Sequence, residues 1–212
     1  MLANVAFVGL GSVFDYPDVL DLPASETLVK FEADQGAVIA LFSVLALGAA
    51  LLAPAAILVG RIAGGRLGRL SARVGIAAAA VQVIGLLRWP LIVPWLAADA
   101  TDAGASAAAR GDAADTFDVV DTTLGTLVGE SFGYVLTARW TVLVVQAFRH
   151  RIVGRWFAGL GLTAAALVLV GLLVPLDVPG ADMANFVGYV LWSLWLIAFA
   201  VTLWRRRAAR LG

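Results

Sequence analysis

The 212-residue chain contains no cysteine, one histidine (His150) and one lysine (Lys30), and only 14% of its residues are charged. Without cysteine there is no disulfide, no Cys-ligated zinc and no thiol chemistry, and the redox compartment cannot be read. A single histidine in a basic connection leaves almost nothing for haem ligation, a histidine-bound metal or a Ser–His hydrolase. Gly9-Leu-Gly-Ser12 is not a Gly-x-Ser-x-Gly elbow and reads as a small-residue packing stretch. The Gly/Arg-rich stretch 60–70 lacks the Gly-Lys-Ser/Thr element of a phosphate-binding loop. The apolar stretches also lack the two aspartates that an intramembrane aspartyl protease requires. No catalytic residue, metal site or cofactor is therefore expected. Nucleic-acid binding is not expected either, because the basic connections are short and lie next to apolar runs. Repeats of solenoid period and symmetry between the halves are both missing.

What is present is apolar. Hydrophobic residues make up 61% of the chain and mean hydropathy is +0.92. A soluble domain is about 45–50% apolar, so this chain cannot cover its surface with polar groups and needs lipid as part of its solvent. Five runs approach the about 20 helical residues that cross a bilayer. A sixth, Leu2–Phe14, is shorter: at about 1.5 Å per residue it reaches about 20 Å of the roughly 30 Å required. It has no basic flank and no cleavage site, so it does not read as a signal peptide. It is either a short span or one that continues through Tyr16 and Val19. A start that trims the natural N-terminus is the other reading. The expected fold is all-α, a polytopic transmembrane helical bundle of about six spans in one domain over 1–212. The spans run roughly 2–19, 35–60, 74–97, 124–148, 156–176 and 183–204. Runs this long and uniformly apolar do not suit barrel strands.

The net charge of zero hides a strict segregation. The connections Arg61–Arg73 and Arg149–Arg155 and the tail Arg205–Arg210 hold eleven arginines and no carboxylate. The connections Asp15–Asp34, Asp99–Asp121 and Asp177–Asp182 hold fourteen carboxylates against Lys30 and Arg110. Basic connections stay in the cytoplasm, so six spans place both termini there; five spans would alternate the same way but leave the N-terminus outside. In the outer connections, Ser25 is positioned to cap a short interfacial helix reaching about Ala33. Ala100–Gly111 reads as a flexible loop, with helix from Asp112 onward. Asp115, Asp118 and Asp121 are helical neighbours able to offer oxygen ligands to a hard cation, but they read first as a solvated acidic segment.

Ionisable residues inside apolar runs are costly and mark candidate sites. Arg88 lies fifteen residues past Arg73, and Glu130 lies nineteen before Arg149. Both therefore fall in the outer third, on sequential spans, where a salt bridge is geometrically reasonable. Arg139, ten residues before Arg149, is close to the midplane. At 100° per residue, Glu130, Tyr134, Thr137 and Thr141 share one face of the fourth span, while Arg139 and Gln146 lie on the other. That span is then central, or Arg139 snorkels outward. Asn185, Tyr189 and Trp192 share a face of the last span. Pro54 and Pro90 free the carbonyls of Ala50 and Leu86 and should kink their helices. Gly125, Gly129 and Gly133 allow a close helix neighbour. Trp95 and Trp204 sit where interfacial belts form. The candidate ligand site is an outer-half pocket of Arg88, Trp89, Glu130 and Tyr134, with Arg139 below and Asn185 and Tyr189 facing in. Its surplus positive charge suits an anionic ligand or a lipid headgroup. The competing reading is an ion pair that only fixes helix register.

Several stretches together resemble a known family. They are Phe14-Asp-Tyr-Pro-Asp-Val-Leu20, Gly85-Leu-Leu-Arg-Trp-Pro90 running on to Val93-Pro94-Trp95, Gly129-Glu130 with Gly133-Tyr134 and Trp140-Thr141, and Asn185-Phe-Val-Gly-Tyr189 with Trp192-Ser-Leu-Trp195. In this order they resemble the prokaryotic integral-membrane family known as domain of unknown function 4386. The resemblance implies a multi-helix membrane fold and brings no activity, cofactor or catalytic residue. The sequence thus leads to a non-enzymatic membrane protein that binds or carries a polar or anionic small molecule or lipid. The alternative is an accessory subunit packing against a partner membrane protein or a second copy of itself. Membrane lipids are the expected surroundings in either case.

Overall fold

The computed structural model describes residues 2–148 and 154–208. The arginine-rich connection with His150 and the end of the basic tail lie outside the described residues. Helix accounts for 90% of the structure, with no strand among the described residues. The order is α1 (Leu2–Phe14), a 3₁₀ turn (Asp18–Asp21), α2 (Ala24–Ala33), α3 (Gln35–Ala50), α4 (Leu52–Ala63), α5 (Gly65–Leu91), α6 (Val93–Thr101) and α7 (Ala107–Val120). A π-helical segment (Asp121–Phe132), α8 (Gly133–Phe148), α9 (Arg155–Val170), a 3₁₀ turn (Gly171–Leu176) and α10 (Ala181–Ala208) complete it.

Four helical stretches are long and apolar enough to cross a membrane, which suggests a membrane protein: Gln35–Ala63, Gly65–Thr101, Arg155–Leu176 and Ala181–Arg205. Two of the six expected spans do not reach that standard. α1 stops at Phe14, because Asp15 takes a left-handed φ of 52°, which an α-helix does not continue through. It therefore does not continue through Val19. The span expected at 124–148 is shared between the π segment and the 16-residue α8.

The interruptions follow from proline chemistry. A proline removes the hydrogen bond to the carbonyl four residues before it. α3 ends at Ala50, the residue whose carbonyl Pro54 cannot serve. Pro90, however, lies inside α5; the break comes at Ile92, between α5 and α6, with Pro94 in the first turn of α6. The helix in the first acidic connection spans Ala24–Ala33, but Pro23 and not Ser25 precedes it. The second acidic connection is helical from Ala107, five residues earlier than composition indicates, because the Ser106 hydroxyl accepts the Ala109 N–H at 3.1 Å and caps an alanine-rich turn.

The chain packs as two compact units, Met1–Leu51 with Ala80–Glu130, and Leu52–Ala79 with Ser131–Gly212. The first is built on an aromatic core. Trp89, fully buried, stacks on Phe42 at 4.7 Å and on Phe31 at 5.8 Å, with Phe14 and Phe117 edge-on. Leu10, Leu28, Val38, Val93 and Ala97 fill the space around them. α2 packs on α6 and α7, and the buried Thr27 hydroxyl donates to the Val19 carbonyl at 2.9 Å, tying α2 to the preceding turn. In the second unit α9 packs between α8 and α10, around Trp140, Trp195, Phe148, Phe157 and Phe199. The buried indole N–H groups of Trp89, Trp140 and Trp195 have no hydrogen-bond partner among the described residues.

Candidate functional site

The expected pocket residues divide between the units. Arg88, Trp89 and Glu130 belong to the first; Tyr134, Arg139, Asn185 and Tyr189 belong to the second.

In the first unit Arg88 is 4% exposed and its guanidinium is heavily engaged. Nε and Nη2 donate to Oδ1 of Asp121 at 3.0 and 2.7 Å, and Nη1 donates to the Gly85 carbonyl at 2.7 Å. The guanidinium also stands near the Tyr16 hydroxyl and lies 5.2 Å from the Trp89 ring. Room for this group comes from Gly125: a Cβ there would stand 2.6 Å from Nη2. The π segment approaches α5 backbone to backbone, since a Cβ on Gly85 would meet the Gly129 Cα at 2.6 Å. The glycines expected to receive a neighbouring helix thus receive α5 and its arginine, within the same unit.

The sequence nominates Glu130 as the carboxylate for Arg88; the structure bonds Arg88 to Asp121, which composition assigned to a solvated acidic segment. Helix geometry explains the difference. On an α-helix, residues nine apart fall on opposite faces. In a π-helix each hydrogen bond spans one residue more, so about nine residues make two turns. Asp121 and Glu130, nine apart, therefore return to one face, and both carboxylates act on Tyr16. The charges around that hydroxyl are two negative and one positive, the reverse of the surplus expected. Asp115 and Asp118 are exposed, and among the described residues no three carboxylates or histidines converge on a metal-sized space.

In the second unit Tyr134, Asn185 and Tyr189 do come together. The Tyr134 and Tyr189 rings are 6.0 Å apart, and a Cβ on Gly171 would touch both Tyr134 and Asn185. The Asn185 amide donates to the Val168 carbonyl at 2.8 Å, joining α10 to α9. Two turns on, Trp192 Nε1 donates to the Thr141 hydroxyl at 2.8 Å, joining α10 to α8, and Thr141 donates to the Thr137 carbonyl. This seam consumes its own polar groups.

Arg139 differs. It projects from the exposed face of α8 with Gln146, opposite the buried Thr137 and Thr141, and it makes no hydrogen bond or ion pair among the described residues. It lines a cleft of about 440 Å³ between α8 and α9. The rest of the lining is small or branched: Val135, Ala138 and Val142 from α8, Leu162, Ala165, Ala166 and Leu169 from α9. Sequence reasoning identified this arginine but not the cleft, which depends on alanines of α9 that no polar residue marks. It missed Asp121 and Tyr16 as neighbours of Arg88; Tyr16 appears there only in the first span and inside a family-like stretch.

Comparison with curated proteins found no match, and comparison with solved structures found none. Residues 1–200 match a family, and on that match the chain belongs to the family described as domain of unknown function DUF4386.

Proposed function

We propose that this protein is a plasma-membrane protein of a prokaryote, crossing the bilayer about six times with both termini in the cytoplasm, that binds an anionic amphiphile. In this reading α1 and the helix 121–148 supply the two shorter spans, and the alternating signs of the connections support that count. The observation that carries the binding reading is Arg139, without a hydrogen-bond or ion-pair partner among the described residues, in the apolar α8–α9 cleft. An arginine at mid-depth costs about 2.5–3.5 kcal/mol on the insertion scale. An anionic oxygen headgroup held by charge-assisted hydrogen bonds offsets that cost, and the alanine-floored cleft takes the attached hydrocarbon.

The cleft's size favours an amphiphile over a partner helix. About 440 Å³ lies within the range of small-molecule sites. Its lining covers about two helical turns, roughly 10 Å, a third of what a spanning helix presents. The accessory-subunit reading rested on a free glycine face, and Gly125 and Gly129 are spent against Arg88 and Gly85.

The test is native mass spectrometry of the gently extracted protein titrated with oleate, lysophosphatidate and oleyl alcohol. Both anions should bind wild type and lose most of their occupancy in Arg139→Gln, and the alcohol should bind neither. Equal binding of all three, or anion binding unchanged by Arg139→Gln, refutes the proposal. The balance between oleate and lysophosphatidate assigns the headgroup to carboxylate or phosphate.

A further inference from the structure

The second unit carries a basic feature that the Arg139 cleft does not use. α4 and the first turns of α5 form a hairpin. Its turn is made by Gly64 and Gly65, whose φ values of +69° and +63° are left-handed and suit glycine alone. Below the turn the helices cross backbone to backbone: a Cβ on Gly60 would lie 2.5 Å from the Gly68 carbonyl oxygen. So close a crossing holds the hairpin as one stiff piece.

Four arginines stand on it, Arg61 on α4 and Arg66, Arg69 and Arg73 on α5, all exposed. The last three are spaced three and four apart, so they form one stripe about 10 Å long on α5. No carboxylate occurs between residues 61 and 73, and none of the four makes an ion pair or side-chain hydrogen bond among the described residues. Neighbouring like charges repel, and the first turns of α5 sit at the positive end of its dipole, which prefers acidic residues. The stripe therefore lacks any internal counter-charge. Exposed Ile62 and Leu70, at 53% and 40%, flank the guanidinium groups. Guanidinium groups beside bare aliphatic side chains match the boundary between headgroups and hydrocarbon, not a purely aqueous anion.

From this juxtaposition we infer that the α4–α5 hairpin is an anionic-phospholipid clamp, its arginine stripe taking lipid phosphates two at a time while Ile62 and Leu70 rest among the acyl chains. Arginine suits the task because its planar fork pairs with phosphate through two parallel hydrogen bonds. A stripe about 10 Å long is long enough for two phosphates, so a diphosphatidyl lipid binds more tightly than two separate monophosphate lipids.

The experiment reconstitutes the full chain in nanodiscs of phosphatidylcholine containing either phosphatidylglycerol or diphosphatidylglycerol at equal phosphate. Lipids retained after transfer to a neutral detergent are then counted by native mass spectrometry. Wild type should retain anionic lipid, diphosphatidylglycerol most. Each of Arg66→Gln, Arg69→Gln and Arg73→Gln should weaken retention about fivefold, and the triple variant about a hundredfold. Arg110→Gln, an exposed arginine on α7, should leave it unchanged. The triple Arg→Lys variant keeps the charge but loses the fork, and should fall between wild type and the triple Arg→Gln variant. It serves as the folded reference if the latter does not fold. Retention that ignores the stripe substitutions, equal retention of phosphatidylcholine, or binding of inorganic phosphate with the same affinity overturns the inference.

Discussion

Removing Asp121 strands a buried cation. In Asp121→Ala, the Arg88 guanidinium, 4% exposed, loses both of its bonds to Oδ1 and keeps the Gly85 carbonyl as its hydrogen-bond acceptor among those described above. Deleting one partner of a buried ion pair costs about 3–5 kcal/mol. Asp121 is itself 19% exposed, so some solvation reaches the pair and places the expected loss at the lower end, about 3 kcal/mol. For a chain of this length that corresponds to a fall of roughly 6–12 °C in Tm. The decisive comparison is the double variant Arg88→Met/Asp121→Leu. Replacing a whole buried pair with apolar groups is often neutral, so the double variant should recover to within about 1 kcal/mol of wild type. Thermal unfolding in detergent, followed by tryptophan emission, measures all three proteins. A Tm for Asp121→Ala within about 2 °C of wild type, or a double variant as unstable as Asp121→Ala, refutes the pairing. Glu130→Gln, the change that the sequence alone nominates, should move Tm less than Asp121→Ala.

Two further outcomes follow from the packing. Gly85→Ala drives a methyl into the Gly129 backbone and should cost about 1–3 kcal/mol by overpacking. Gly36→Ala, in an exposed first turn of α3 with nothing within 4 Å, should be neutral or slightly stabilising in the same assay. Thr141→Val removes the acceptor of Trp192 Nε1 and should lower stability by about 1–2 kcal/mol. Trp192→Phe combined with it should cost little more than Trp192→Phe alone, and additive losses would show that the bond carries no energy.

How much of this was legible in the sequence depends on whether helical periodicity held. Where α-geometry applies, faces were read correctly. Thr137 and Thr141 are buried while Arg139 and Gln146 are exposed, and Asn185, Tyr189 and Trp192 lie along one seam. Between Asp121 and Phe132 the winding is slower, so a rule of 100° per residue does not bring Asp121 and Glu130 to one side as the π-helix does. Composition hid the rest. Asp112, Asp115 and Asp118 made Asp121 look like one more solvated acid, and the alanines from 107 onward looked like loop until the Ser106 cap was visible. The helix is interrupted at Ile92, just before Pro94, while Pro90 lies within α5; the sequence marks both prolines but not which of them separates two helices.

The three partnerless indoles make the molecule its own reporter. Trp89, Trp140 and Trp195 are sealed within the two cores, while Trp95, Trp156 and Trp204 are 74%, 61% and 71% exposed. Light emitted by the first group comes from dry surroundings and should lie at shorter wavelength, beyond the reach of iodide in water or brominated chains in lipid. Emission from the second group should yield to one quencher or the other, and the quencher that succeeds tells at what depth each indole rests.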